Sequence, residues 1–142
     1  MASFNYTYHA PAVKASLITN TAIGQGSDTL EGIENLTGTS SADELEGSEK
    51  ANNLIAYGGA DTLIGLGGVD GLAGSGGDDT IRGGTGNDTL KGLGGADYLF
   101  GEDGEDSLDS RDGVEGNDSL DGGAGTDTKV TDAVEASIVN IP

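Results

Sequence analysis

The 142-residue sequence contains no cysteine, one methionine, one histidine and two prolines, and only 4% of its residues are aromatic. Without cysteine there are no disulfides, thiolate nucleophiles or zinc–thiolate sites. With so few bulky residues an ordinary globular core is excluded. The lone histidine, His9, sits among aromatic residues near the start, where a strand or surface role explains it better than catalysis or ligation. No stretch approaches a transmembrane span, and the opening MASFNYTYHAP has neither the basic region nor the apolar run of a secretory signal peptide. Basic residues are scarce as well: 6 against 25 acidic ones give a net charge of −19. Such a chain repels nucleic acid and anionic membrane surfaces, and its natural partners are cations.

What the sequence does have is glycine, 27 residues of it, in a strict period. Steps of nine from Asp88 land on Asp61, Asp70, Asp79, Asp97 and Asp106, and upstream on Asn52, Asp43 and Glu34. An insertion at Ser110 to Asp112 shifts the frame before Asp118 and Asp127. Two residues before each of the eight aspartates from Asp61 onward stands a glycine, from Gly59 to Gly125. Two residues after them stand Leu63, Leu72, Ile81, Leu90, Leu99, Leu108 and Leu120, and Lys129 alone breaks the series. Upstream the apolar position persists as Leu36, Leu45 and Leu54 while the glycines thin out.

Each unit has a glycine-rich half suited to tight turning and a short half with one central apolar residue, suited to a three-residue strand. Turn and strand alternating every nine residues build a solenoid: two units make an 18-residue coil, and successive coils pair into two parallel sheets around inward leucines. The fold class is therefore all-β, a right-handed parallel β-solenoid with two nine-residue half-turns per coil.

At a coil spacing of about 4.8 Å, residues 18 apart stack. Asp61, Asp79 and Asp97 form one column, and Asp70, Asp88 and Asp106 another. Stacked carboxylates repel, and glycine turns leave carbonyl oxygens bare. Both are answered by a hard cation of flexible coordination, calcium. A purely conformational role for the aspartates would be served equally well by asparagine, yet aspartate occurs eight times running.

The stretch GGTGNDTLK (83–91) resembles the G-G-x-G-x-D-x-U-x nonapeptide of the RTX, or hemolysin-type, calcium-binding repeats, and GQGSDTLEGIENLTGTSSADELEG resembles the lead-in that precedes such blocks. The resemblance spans roughly residues 13–130 and implies a parallel β-roll whose turns hold calcium between them. Carried onto this sequence, the side-chain ligands are Asp61, Asp70, Asp79, Asp88, Asp97, Asp106, Asp118 and Asp127. The implied carbonyl ligands belong to Gly65, Gly67, Gly68, Gly74, Gly76, Gly77, Gly83, Gly84, Thr85, Gly86, Gly92, Gly94, Gly95, Gly101, Asp103 and Gly104. About four to six calcium ions follow from this ligand set.

Departures from the motif carry their own expectations. Only the units starting at Gly83 and Gly122 keep the whole core; elsewhere the second glycine is Leu66, Ser75, Leu93, Glu102 or Val114, acceptable where φ is negative. Glu34, Asp43 and Asn52 lie in turns poor in glycine, so coils without full metal sites are expected there. The insertion at 110–112 should bulge and weaken a site shared by the turns of Asp97 and Asp118. The expected organisation is capping strands over 1–27, lead-in coils over 28–58, calcium-binding repeats over 59–130 and a C-terminal cap over 131–142. The N-terminal cap draws on Phe4, Tyr6 and Tyr8, then Val13, Ala15 and Leu17; the C-terminal cap draws on Val134, Ile138 and Val139. The ending also resembles relatives with cysteines at the positions of Lys129 and Ile141, a clamp this sequence lacks.

No G-x-x-x-x-G-K-[ST] loop and no EF-hand loop is present, and the carboxylate array has no single pair marked out for acid/base work. The chain is therefore expected not to be an enzyme, and any catalytic part would lie outside it. One apolar side chain per nine residues does not offset the entropy of ordering so glycine-rich a chain, so bound calcium is expected to drive folding. The expected role is a calcium-folded module of a secreted, bacterial protein, one part of a longer chain whose export signal lies elsewhere. The alternative is an extracellular structural or adhesion spacer contacting a surface or protein partner.

Overall fold

The computed structural model describes residues 11–24, 26–113, 117–132 and 137–139. Its strands run, in chain order, β1 (Lys14–Ser16), β2 (Thr21–Ile23), β3 (Ser27–Thr29), β4 (Asn35–Thr37) and β5 (Glu44–Ser48). Then come β6 (Asn53–Gly58), β7 (Thr62–Gly67), β8 (Gly71–Gly76), β9 (Thr80–Thr85) and β10 (Thr89–Gly94). The last are β11 (Tyr98–Asp103), β12 (Ser107–Asp109), β13 (Ser119–Asp121), β14 (Thr128–Val130) and β15 (Ser137–Val139). There is no helix among the described residues.

From β4 onward, strands alternate between two sheets, and each strand pairs in parallel with the strand two further along the chain. The order β15-β13-β11-β9-β7-β5 makes one sheet and β14-β12-β10-β8-β6-β4 the other. Leu45, Leu63, Ile81 and Leu99 stand in register at 18-residue steps in the first sheet, as do Leu36, Leu54, Leu72, Leu90 and Leu108 in the second. All are buried, and they form a core one side chain thick between the sheets. This is the parallel β-roll that the nine-residue period implies.

Three features differ from the expectations. In the central repeats, β6 to β11, strands are six residues long instead of three, because coil-to-coil pairing resumes at the second and third turn positions, as in Leu93↔Ser75 and Gly94↔Gly76. The insertion at 110–112 leaves both columns unbroken: Leu99 pairs with Leu120 and Leu108 with Lys129, 21 residues apart in each case. And from Tyr57 to Glu102 the second turn position takes positive φ whatever its side chain: 87° at Tyr57, 80° at Leu66, 90° at Ser75, 73° at Leu93 and 74° at Glu102. Non-glycine residues are expected there only at negative φ; the structure places them in the left-handed region, with Tyr57 and Leu93 exposed to solvent.

At the N-terminal end the first sheet is extended by a hairpin. β1 pairs in parallel with β5, Ala15 opposite Leu45, and β2 and β3 add antiparallel. Val13, Ala15, Leu17, Ala22 and Leu30 close this end of the core. Phe4, Tyr6, Tyr8 and His9 lie outside the described residues, as do Val134 and Ile141; for Ile138 and Val139 only the backbone strand pairing with β13 is described.

Candidate metal centre

The turns lie along the two edges of the roll where the chain passes from one sheet to the other, and each from Asp61 onward carries one sixth-position aspartate. On one edge the backbone N–H of Asp43 donates to Oδ1 of Asp61 at 2.6 Å, Asp61 to Asp79 at 2.9 Å, Asp79 to Asp97 at 2.9 Å and Asp97 to Asp118 at 2.8 Å. On the other edge Asn52 donates to Asp70, Asp70 to Asp88, Asp88 to Asp106 and Asp106 to Asp127, at 2.7 to 2.9 Å. The structure thus brings the eight aspartates into two continuous columns, one oxygen of each binding the coil before it.

The second oxygen is in a different position. Oδ2 of Asp61, Asp70, Asp79, Asp88, Asp97, Asp106 and Asp127 is buried and has no hydrogen-bond partner among the described residues. A buried carboxylate oxygen left this way costs several kcal/mol unless a cation or proton meets it, at roughly the scale of an unpaired buried charge.

In the five turns from Gly65 to Gly101 the first glycine lets that oxygen lie under the backbone. A Cβ on Gly65, Gly74, Gly83, Gly92 or Gly101 would run into Oδ2 of Asp70, Asp79, Asp88, Asp97 or Asp106 respectively. The space a Cβ of Gly83 would fill lies 2.5 Å from Oδ2 of Asp88 and 2.7 Å from the carbonyl oxygen of Gly101. At Gly65 the same space is bounded by Asp70 Oδ2 and, at 2.5 Å, the Gly83 carbonyl; at Gly101, by Asp106 Oδ2 and the Gly122 carbonyl, also at 2.5 Å. These contacts bring a carboxylate oxygen and a carbonyl oxygen of consecutive coils close together along the edge, and carboxylate and carbonyl oxygens are the donor types that fit calcium.

The family model of the RTX calcium-binding nonapeptide repeat, four copies long, matches residues 37–72, 73–108 and 112–128. The chain belongs to this family. It is a calcium-binding repeat domain, and comparison with curated proteins finds no match.

The electrostatics of the RTX turns follow from burial. Desolvation pushes the carboxyls of Asp61, Asp79, Asp97 and Asp106 up to about 6; the N–H bond on Oδ1 works against this, and neighbouring carboxylates add to it. Asp70 and Asp88 are raised for the same first reason. Among the expected carbonyl ligands, those of Gly76, Thr85, Gly94 and Asp103 each accept an N–H from the preceding coil, from Gly59, Gly68, Gly77 and Gly86 at 2.7 to 2.9 Å. A carbonyl has two lone pairs, so this bond uses one and leaves one.

Sequence reasoning missed several residues at these edges. The carbonyl of Gly122 faces the cradle of Gly101, although the expected set ended at Gly104. At the insertion, Asp112 Oδ2 accepts from Gly95 N at 3.4 Å and from Asn117 Nδ2 at 3.2 Å, while Asp132 Oδ2 accepts the N–H groups of Asp112 and Gly113. The inserted loop is therefore tied into the edge, and the column from Asp97 to Asp118 runs through it.

The lead-in turns are built differently. Thr39 donates its N–H to Oδ2 of Asp43 at 2.5 Å and its hydroxyl to Oδ1 at 3.2 Å. In the next turn Ser48 donates its N–H and its hydroxyl to Oδ1 of Asn52, at 2.6 and 3.1 Å. The only sequence signal for this was a hydroxyl residue directly after the first glycine, in GTSSAD and GSEKAN.

Proposed function

We propose that calcium ions bound between successive turns, through Oδ2 of the sixth-position aspartates and the turn carbonyls, drive folding of the repeat block in a secreted protein. The observation that carries this is the row of buried Oδ2 atoms without a partner, those of Asp70, Asp79, Asp88, Asp97 and Asp106 lying against the first glycine of their own turn. Calcium supplies the positive charge that lets these carboxylates stay ionised inside the edge. The chain's own residues do the rest: Oδ1 locks each aspartate to the preceding coil, the first glycine leaves room, and the leucine column holds consecutive turns at a fixed spacing.

Eight repeat turns joined by the aspartate bonds enclose three intervals on each edge, so a full complement is six ions. Sites with dissociation constants near those of extracellular modules, about 10⁻⁴ to 10⁻³ M, fill outside a cell and stay empty at micromolar calcium. The chain would then travel as a self-repelling polyanion and fold on meeting calcium. Isothermal calorimetry with circular dichroism on the same sample tests this. Cooperative uptake of about six ions with a gain of β signal is expected; no uptake at millimolar calcium would overturn it.

A further inference from the structure

Residues 13–56 differ from the rest of the roll in a consistent way. Among the described residues their turns leave no buried side-chain oxygen without a partner: the orphaned aspartate oxygens begin at Asp61. Asp43 accepts from Val13 N at 2.6 Å and from Thr39, and Asn52 accepts from Ser48 while its Nδ2 donates to the Glu34 carbonyl at 2.9 Å. Neither Thr39 nor Ser48 takes the positive φ found at the same position in the later turns. With φ negative, the second-position N–H points at the sixth-position side chain and occupies the role that a cation has downstream.

The core is also concentrated here. Nine of the sixteen buried apolar side chains among the described residues, Val13 through Ala56, fall in these 44 positions; the other seven are spread one per half-turn from Leu63 to Leu120. The hairpin is fastened by Leu17 N to Glu46 O and Glu44 N to Val13 O, both at 2.9 Å. Finally, Asp43 N and Asn52 N donate to Oδ1 of Asp61 and Asp70, so this segment offers the first repeat carboxylates a ready edge to dock on.

We infer that residues 13–56 form a calcium-independent folding nucleus on which the metal-dependent coils are laid in order. The contrast with the downstream coils rests on the calcium reading above, but the nucleus itself is read in the absence of calcium, so the two fail separately. The first coil is the costly one in a solenoid, because it has no neighbour to stack on. A self-closed start removes that cost before any ion binds.

The test is amide hydrogen exchange on the full chain, in excess chelator and then in millimolar calcium. In chelator, the amides of Gly38, Thr39, Glu44 and Ser48 are expected to exchange at least about a hundredfold more slowly than those of Thr80, Thr89 and Tyr98. Asp43→Ala should abolish that protection, and Leu99→Ala, in the core of the repeat block, should leave it unchanged. Random-coil exchange throughout the chelated chain would overturn the inference, as would uniform protection from end to end or an Asp43→Ala chain that keeps its protection. Absence of calcium uptake would remove the calcium reading while leaving chelator-state protection of 13–56 to stand or fall by itself.

Discussion

The backbone N–H of Asp79 donates to Oδ1 of Asp97, one coil further on, at 2.9 Å, while Oδ2 of the same Asp97 is buried without a partner. The two oxygens of one carboxylate are therefore in different situations, one holding coils together and the other buried against Gly92, at the proposed cation position. Asp97→Asn separates them, since an amide keeps an Oδ1 acceptor but presents an NH₂ group where Oδ2 stood. Calorimetry should show about one or two fewer ions bound and a higher calcium midpoint. Asp97→Ala, which loses both oxygens, should be less stable in millimolar calcium than Asp97→Asn by about 1 kcal/mol.

Gly83→Ala places a methyl group where Asp88 Oδ2 and the Gly101 carbonyl converge. Loss of one site and destabilisation of about 1–3 kcal/mol are expected from the overpacking alone. Gly58→Ala is the control, because its Cβ would meet only the Gly76 carbonyl, at 3.6 Å. Thermal melts in calcium should separate the two variants clearly; equal melts would show that the cradle is not what the first glycine protects.

Proton binding should compete with calcium. In the calcium-free roll Asp61, Asp79, Asp97 and Asp106 titrate near 6, above the ordinary carboxyl value of 3.8 that applies when unfolded. The folded state then binds more protons than the unfolded state between about pH 4 and 6, so the metal-free roll gains stability as pH falls through that window and loses it as pH rises. Calcium must displace those protons. The calcium midpoint should rise steeply below about pH 6, and uptake at pH 6 should release protons, measured by calorimetry in buffers of different ionisation enthalpy.

Leu90 is fully buried between the sheets, in register with Leu72 and Leu108. Leu90→Ala should cost about 2–5 kcal/mol. With folding and ion uptake coupled as proposed, the loss should appear chiefly as a higher calcium midpoint. An unchanged midpoint with a lower melting temperature would argue that the ions bind before the core closes.

Lys129 occupies the register position of the inward leucines, opposite Leu108 at the end of the second sheet. An amine there cannot add to the apolar column. Lys129→Leu should raise stability in calcium by about 1–2 kcal/mol, read from chemical denaturation.

The coil was legible in the sequence because it is a local property repeated many times. The nine-residue period dictates where the chain turns, which residue of each strand faces inward and which carboxylates stack, and a run of aspartates where asparagine would serve equally well points to charge as the requirement. What depends on contacts between coils was decided only by the tertiary structure. Stacking determines which carboxylate oxygen is taken by the preceding coil and which is left over. It forces Leu66 and Glu102 into left-handed backbone despite their side chains, and ties the inserted loop into the edge through Asp112 and Asp132. It also sets β1 beside β5, 30 residues away, and lets Thr39 and Ser48 close their turns by hydrogen bonds. Those features arise at irregular separations or from the direction of a single N–H, and no period along the chain encodes either.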